Sequence, residues 1–220
     1  MSAKITQIGA LNINRGNITL LNDQAGRPPT MTVKRRWALI TGVSEGGIGD
    51  ALMAELLRNG INVIATGLKL ELLDYLPDQH HPQHADASKV QLDVTSSASI
   101  AAAVKEVERL TDGKLDYLFN NAGYGYMMPL IDSDMAAAKA EFDVNVFGLM
   151  AVTQAFLPLL RAAKGTVVNQ SSIAALRGGR QPVIGWYSAS KAAVNSLSDT
   201  MRVELAPFGI KVRSLSFRFA

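Results

Sequence analysis

The chain has 220 residues, 48% of them hydrophobic and 19% charged, with no cysteine and a formal net charge of +3. That length and balance fit one globular α/β domain with a sizeable core and argue against intrinsic disorder. The lack of cysteine excludes disulfides, thiolate catalysis and cysteine-based metal sites, and is compatible with a reducing, cytoplasmic setting.

Residues 1–36 carry six cations against Asp23 alone, whereas the remainder holds 16 cations and 18 acids. The body is therefore near neutral, and no nucleic-acid partner is expected. In residues 1–32, turn formers such as Arg15-Gly16-Asn17 and Gly26-Arg27-Pro28-Pro29 separate short β-like pieces, among them Asn17–Leu21. This is the pattern of a flexible extension or loose hairpin outside a domain that runs over 33–220.

From Trp37 onward, strands alternate with helices. The apolar runs predict strands at 37–41, 61–66, 90–94, 115–119, 166–169 and 210–215. Helical spacing predicts helices over 48–58, from the serines after Thr95 to Leu110, and over 69–76, 135–147, 149–163 and 188–205. Asn59-Gly60 supplies a C-cap signal for the first helix. Such alternation implies βαβ units and a parallel sheet covered on both faces. No apolar run reaches ~18 residues, so no transmembrane segment is expected. The most apolar stretch, Val144–Leu160, is interrupted by Asn145, Gly148, Thr153, Gln154 and Pro158. His80, His81 and His84 share one polar loop without fixed geometry, which reads as solvated loop rather than metal site.

Two features carry chemistry. Thr41-Gly42-Val43-Ser44-Glu45-Gly46-Gly47-Ile48-Gly49 lies between the first strand and the first helix. Glycines there let the backbone turn sharply and approach a pyrophosphate, and the N–H groups and dipole of the helix start attract its charge. Tyr187 and Lys191 stand four apart on one helix face. A phenol titrates near pH ~10, and an ammonium one turn away favours its ionised form, which makes the pair a proton shuttle.

With Asn120-Asn121-Ala122-Gly123 after strand four and Ser171-Ser172 after strand five, these motifs fall in one order across about residues 33–215. In that order the chain resembles the short-chain dehydrogenase/reductase family. The Asp112–Asp116, Asn145–Gly148, Ala163–Thr166 and Tyr187–Ala193 segments are similar to its fungal branch containing acyl-dihydroxyacetone-phosphate reductases. The resemblance implies a Rossmann-type, doubly wound parallel sheet with strand order 3-2-1-4-5-6. It implies Tyr187 as general acid in carbonyl reduction and Lys191 as the group that lowers its pKa and holds the nicotinamide ribose. Ser172 would hold the substrate oxygen, with Ser171 as the alternative, and Asn145 would anchor a relay water. The implied cofactor contacts are Gly42, Ser44, Gly47, Ile48, Gly49, Lys69, Asp93, Asn120 and Asn121, with Tyr187 and Lys191.

Strand two ends Ala65-Thr66-Gly67-Leu68-Lys69. A carboxylate there would hold the ribose of NAD; its absence, with Lys69 placed to meet a 2′-phosphate, favours NADP(H) over NAD. The expected substrate is a small-molecule ketone or aldehyde, or the corresponding alcohol, on a lipid-like or secondary-metabolite body. Peripheral association with a lipid droplet or the endoplasmic reticulum is compatible with that. The family's helix pair also implies a homodimer or homotetramer, with Val146, Leu149, Met150, Val152 and Phe156 as apolar surface. The chain ends at Phe217-Arg218-Phe219-Ala220, before the family's next turn, substrate lid and seventh strand. That gives the alternative expectation of a cofactor-binding but catalytically impaired protein.

Overall fold

The computed structural model describes residues 36–76, 85–176 and 181–217, and the backbone of three short strands at 6–8, 11–14 and 17–20. The chain divides into two units, Met1–Lys34 and Arg35–Ala220. In the first, β1 (Thr6–Ile8), β2 (Leu11–Asn14) and β3 (Asn17–Leu20) pair in sequence as an antiparallel sheet, with Ile8 opposite Leu11 and Asn14 opposite Asn17.

The second unit is built on a six-stranded, all-parallel sheet. Its strands are β4 (Trp37–Ile40), β5 (Asn62–Gly67), β6 (Ala87–Gln91), β7 (Tyr117–Asn120), β8 (Thr166–Ser172) and β9 (Lys211–Phe217). Their spatial order is β6-β5-β4-β7-β8-β9, the 3-2-1-4-5-6 order of a doubly wound Rossmann-type fold. Every residue of β5 is buried, as expected of a central parallel strand covered on both faces. The helices are α1 (Ile48–Arg58), α2 (Ser97–Thr111), α3 (Met135–Phe142), α4 (Leu149–Ala163) and α5 (Gly185–Leu205).

Two apolar cores sandwich the sheet. One gathers Val107 of α2, Phe156 of α4 and Val194 of α5 against Leu39, Leu118 and Val167. The other packs Met53 of α1 and Leu73 against Ile40, Val63 and Phe119. The ends of α1 and α2 follow local chemistry. Asn59 donates its backbone N–H to Glu55 O and Leu56 O, and Ser96 caps α2 by accepting the Ser99 N–H at 3.2 Å.

Four expectations need correction. The third domain strand is Ala87–Gln91, not 90–94; Leu92 and Val94 are buried, but in the turn that follows. The helix expected over 69–76 is a single 3₁₀ turn, Leu70–Leu73, in which Leu73 packs into the core while Leu70 and Leu72 stay exposed. The helices at 135–147 and 149–163 are one continuous helix, joined by a π-helical turn at Asp143–Gly148. That helix is long and apolar enough to span a membrane by length and composition. Its apolar face is nevertheless built into the core: Val146, Leu149, Val152 and Phe156 are at most 6% exposed within the single chain. Those four residues therefore cover the sheet and are not association surface. The histidine loop lies outside the described residues.

Candidate active site

The site lies at the C-terminal ends of the strands, where open parallel sheets bind ligands. The turn between β4 and α1 is shaped by backbone that only glycine adopts easily. Gly42 has φ +66°, and a Cβ there would lie 2.7 Å from Ala122 Cα. Asn121 braces this turn from β7 by donating from Nδ2 to Thr41 O and Gly42 O, both at 2.8 Å. Thr41 Oγ1 accepts the backbone N–H groups of Asn121 and Ala122. A Cβ on Gly49 would sit 2.8 Å from Asn121 Nδ2, so the first turn of α1 also packs on this asparagine. Asp50 accepts the Gly46 N–H at 3.1 Å, and Gly47 donates its own N–H to Ser44 O. Ser44 is exposed and Ile48 half-buried on the rim of the turn.

Lys69 is exposed two residues beyond β5, and Leu68 beside it is 60% exposed. Asp93 does not close a strand. It sits in the turn after β6, where its Oδ1 accepts the backbone N–H and the hydroxyl of Thr95. Asn120 faces away from the cofactor turn. It is 3% exposed and donates to Thr153 Oγ1 at 2.9 Å and Asn169 Oδ1 at 2.8 Å.

Beside the glycine turn is a cavity of about 390 Å³, with Asn121, Gln170, Ser172, Tyr187 and Lys191 in its wall. Strand alternation sends the two serines to opposite sides. Ser172 faces the cavity and accepts the Ala174 N–H at 3.1 Å, whereas Ser171 turns inward and donates to Lys191 O. Tyr187 and Lys191 come from successive turns of α5, with Lys191 Nζ 5.7 Å from the centre of the Tyr187 ring. Lys191 is 3% exposed, and its ammonium donates to Gln170 O at 2.9 Å. Burial pulls the Lys191 pKa down to about 8, opposed by the charge of Glu141.

The phenol behaves otherwise than the Tyr-Lys spacing suggests. Burial raises the Tyr187 pKa, the Ser172 hydroxyl lowers it, and Glu141 raises it further. Desolvation therefore outweighs the expected lowering in the free protein.

Asn145 stands behind the cavity wall in the π-helical turn, 1% exposed. Its Oδ1 accepts the Tyr124 N–H at 3.0 Å, and its Nδ2 donates to Tyr124 O at 2.8 Å, Ser190 Oγ at 3.1 Å and Glu141 Oε1 at 3.3 Å. A π turn at such a position is a frequent mark of a functional site. Gly123 separates Asn145 from Lys191. A Cβ on it would lie 2.8 Å from Asn145 Oδ1 and 3.2 Å from Lys191 Nζ, so only a hydrogen fits between them.

Sequence reasoning missed Thr41, Gly123, Gln170, Ser190 and Glu141. Gly123 closes the Asn-Asn-Ala-Gly motif, and Glu141 stands one helical turn before Asn145. Those spacings were the available signals. Gln170 acts through its backbone, which side-chain identity does not report.

The model of the short chain dehydrogenase family matches residues 36–217. A short-chain dehydrogenase of Penicillium crustosum is 44% identical over 184 residues, spanning 83% of this chain and 65% of its own length. The NADPH-dependent 1-acyldihydroxyacetone phosphate reductase of Schizosaccharomyces pombe is 39% identical over 180 residues, spanning 82% and 58%. The chain thus covers less than two thirds of the length of these relatives. A short chain dehydrogenase from Burkholderia cenocepacia, solved in complex with NADP, superposes with a TM-score of 0.71 at 30% identity, over 83% of this chain and 72% of that one. By its sheet order, its glycine turn and the match across 36–217, the chain belongs to the short-chain dehydrogenase family of oxidoreductases.

Proposed function

We propose that the protein reduces the carbonyl of a ketone or aldehyde to an alcohol with NADP(H), or runs the reverse oxidation. The observation that carries this reading is the convergence of Ser172, Tyr187 and Lys191 on one cavity beside the glycine turn. The turn fits a dinucleotide: Gly42 and Gly49 leave no room for a side chain, so backbone can approach a pyrophosphate at the start of α1. Lys69, with no acidic neighbour between Gly67 and Leu70, supports the 2′-phosphorylated form. The S. pombe relative's name and the NADP complex of the Burkholderia structure favour the same choice.

The glycine turn and Lys191 would hold a nicotinamide cofactor there, which would supply hydride chemistry for the carbonyl. Tyr187 Oη gives its proton to the carbonyl oxygen, and the Ser172 hydroxyl donates a hydrogen bond to that oxygen. The raised phenol pKa keeps Tyr187 protonated at neutral pH, the form reduction needs. Lys191 sets the local charge, and Asn145 fixes the Tyr124 segment of the wall. Met127, Ile173 and Ala174 give the cavity an apolar side, which favours a carbonyl carried on an apolar body.

Turnover of a panel of ketones and aldehydes with NADPH and NADH side by side tests both parts. Reduction should be at least about tenfold more efficient with NADPH, the factor one well-placed phosphate contact provides. Equal use of both cofactors would overturn the preference, and no turnover with either would sink the reductase reading.

A further inference from the structure

Glu141 is a carboxylate inside the protein that the proton-transfer scheme leaves without a role. It is 0% exposed at the end of α3. Its Oε1 accepts from Asn145 Nδ2 at 3.3 Å and its Oε2 from the Tyr126 N–H at 3.4 Å, so both oxygens face donors. Burial raises its pKa above the ordinary carboxylate range, while the Tyr126 N–H, the Lys191 charge and the Ser190 hydroxyl act to hold it down. Asn145 also donates to Ser190 Oγ, and Ser190 donates to Tyr187 O at 2.8 Å. One hydrogen-bonded path therefore runs from Glu141 to the backbone of the proton donor.

The charges around it are few. Lys191 and Tyr187 of α5 and Tyr124 of the segment after β7 are close enough to interact electrostatically with it, and Asp143 follows two residues later in its own helix. Glu141 and Lys191 do not touch: Asn145, bonded to Glu141, and Gly123, against which the Lys191 ammonium packs, lie between them, and the charge of each acts on the other across that gap. The Gln170 carbonyl that holds the Lys191 ammonium is neutral and cannot offset a buried charge.

We propose that Glu141 is a positioning residue of this site, the internal counter-ion of Lys191 and the tether that holds Asn145 and the Tyr124–Tyr126 wall. Its kinetic consequence rests on the reading of Tyr187 and Lys191 as the proton-transfer pair; its structural consequence does not. The carboxylate raises the pKa of both Lys191 and Tyr187, so removing its charge lowers both. Reduction needs both groups protonated, and the alkaline limb of its pH profile must therefore move to lower pH.

Two measurements on the full chain test this. In reduction with NADPH, the alkaline limb of kcat/KM should fall by about one pH unit in Glu141→Gln relative to the wild type. It should return toward the wild-type position in Glu141→Asp. An unmoved limb in a folded Glu141→Gln overturns the proposal. The second measurement is a melting cycle that needs no turnover. Lys191→Met alone leaves a buried carboxylate without its cation and should melt below the Glu141→Gln/Lys191→Met double variant. Additive losses of Tm overturn the pairing. Should Glu141→Gln give no folded protein, the double variant decides: its folding supports the pair, and its failure to fold overturns it. A wild type without carbonyl turnover removes the reductase reading and leaves the melting cycle intact.

Discussion

Two networks centred on asparagine are buried in the same half of the molecule, and they differ in kind. Around Asn120, the hydrogen bonds run to Thr153 and Asn169 and from Asn169 to Ser198, linking β7, β8, α4 and α5 through neutral groups only. Around Asn145, they reach Glu141, Ser190 and the Tyr124 backbone, and Lys191 stands across Gly123. The first network contains no group that titrates near neutral pH. The second holds a buried carboxylate and a buried ammonium on either side of Asn145 and Gly123, behind a cavity wall, where each group's hydrogen bonds offset part of its desolvation. Burial and hydrogen bonding are common to both. Ionisable groups beside a cavity are what set the second apart.

The contrast can be broken most directly at Tyr187. Tyr187→Phe removes the proposed proton donor without touching either network's side-chain bonds, and should lower kcat by about 10²–10⁴-fold with Tm unchanged. Retained turnover would deny the second network its catalytic meaning. Asn169→Ala probes the first network. It takes away the acceptor of Asn120 and the donor to Ser198, at a cost of about 1–3 kcal/mol. A Tm lowered by roughly 3–10 °C, with the pH profile of turnover unmoved, is the expected result. A shifted profile would mean that the two networks are coupled. The smallest effect lies outside both. Leu68→Asp sets a carboxylate beside Lys69 and should weaken NADPH binding roughly two- to fivefold while leaving NADH alone. Equal effects on the two cofactors in a calorimetric titration would remove Lys69 from the phosphate site.

The networks also show what the sequence made legible. Helix 48–58 ends where Asn59-Gly60 says it should, because its stop is local chemistry. The sheet order follows from the motif order, because each motif is tied to one strand end. The segment around Leu92 and Val94 misled, since apolar spacing reports burial and those residues are buried beyond the last paired residue of β6. Asn120 and Asn121 are neighbours with the same side chain, yet one braces the glycine turn and the other faces a buried polar network. Only the strand's alternation, in register with β8, tells them apart. Glu141 was unreadable for a different reason. A glutamate on a helix is ordinarily solvated, and nothing in its own segment announces that the chain from 124 to 126 and α5 close over it.

Gly148 looked like the end of a helix and is instead a point of contact. A Cβ there would lie 2.7 Å from Val94 Cγ2 and 3.0 Å from Val94 O. The missing side chain lets the turn that carries Asp93 rest directly on the turn that carries Asn145. Close-packed interiors transmit displacement because no void absorbs it. With no void between them, a side chain added at Gly148 would have to displace one of these turns, so the position of Asn145 is tied by direct packing to the turn after β6.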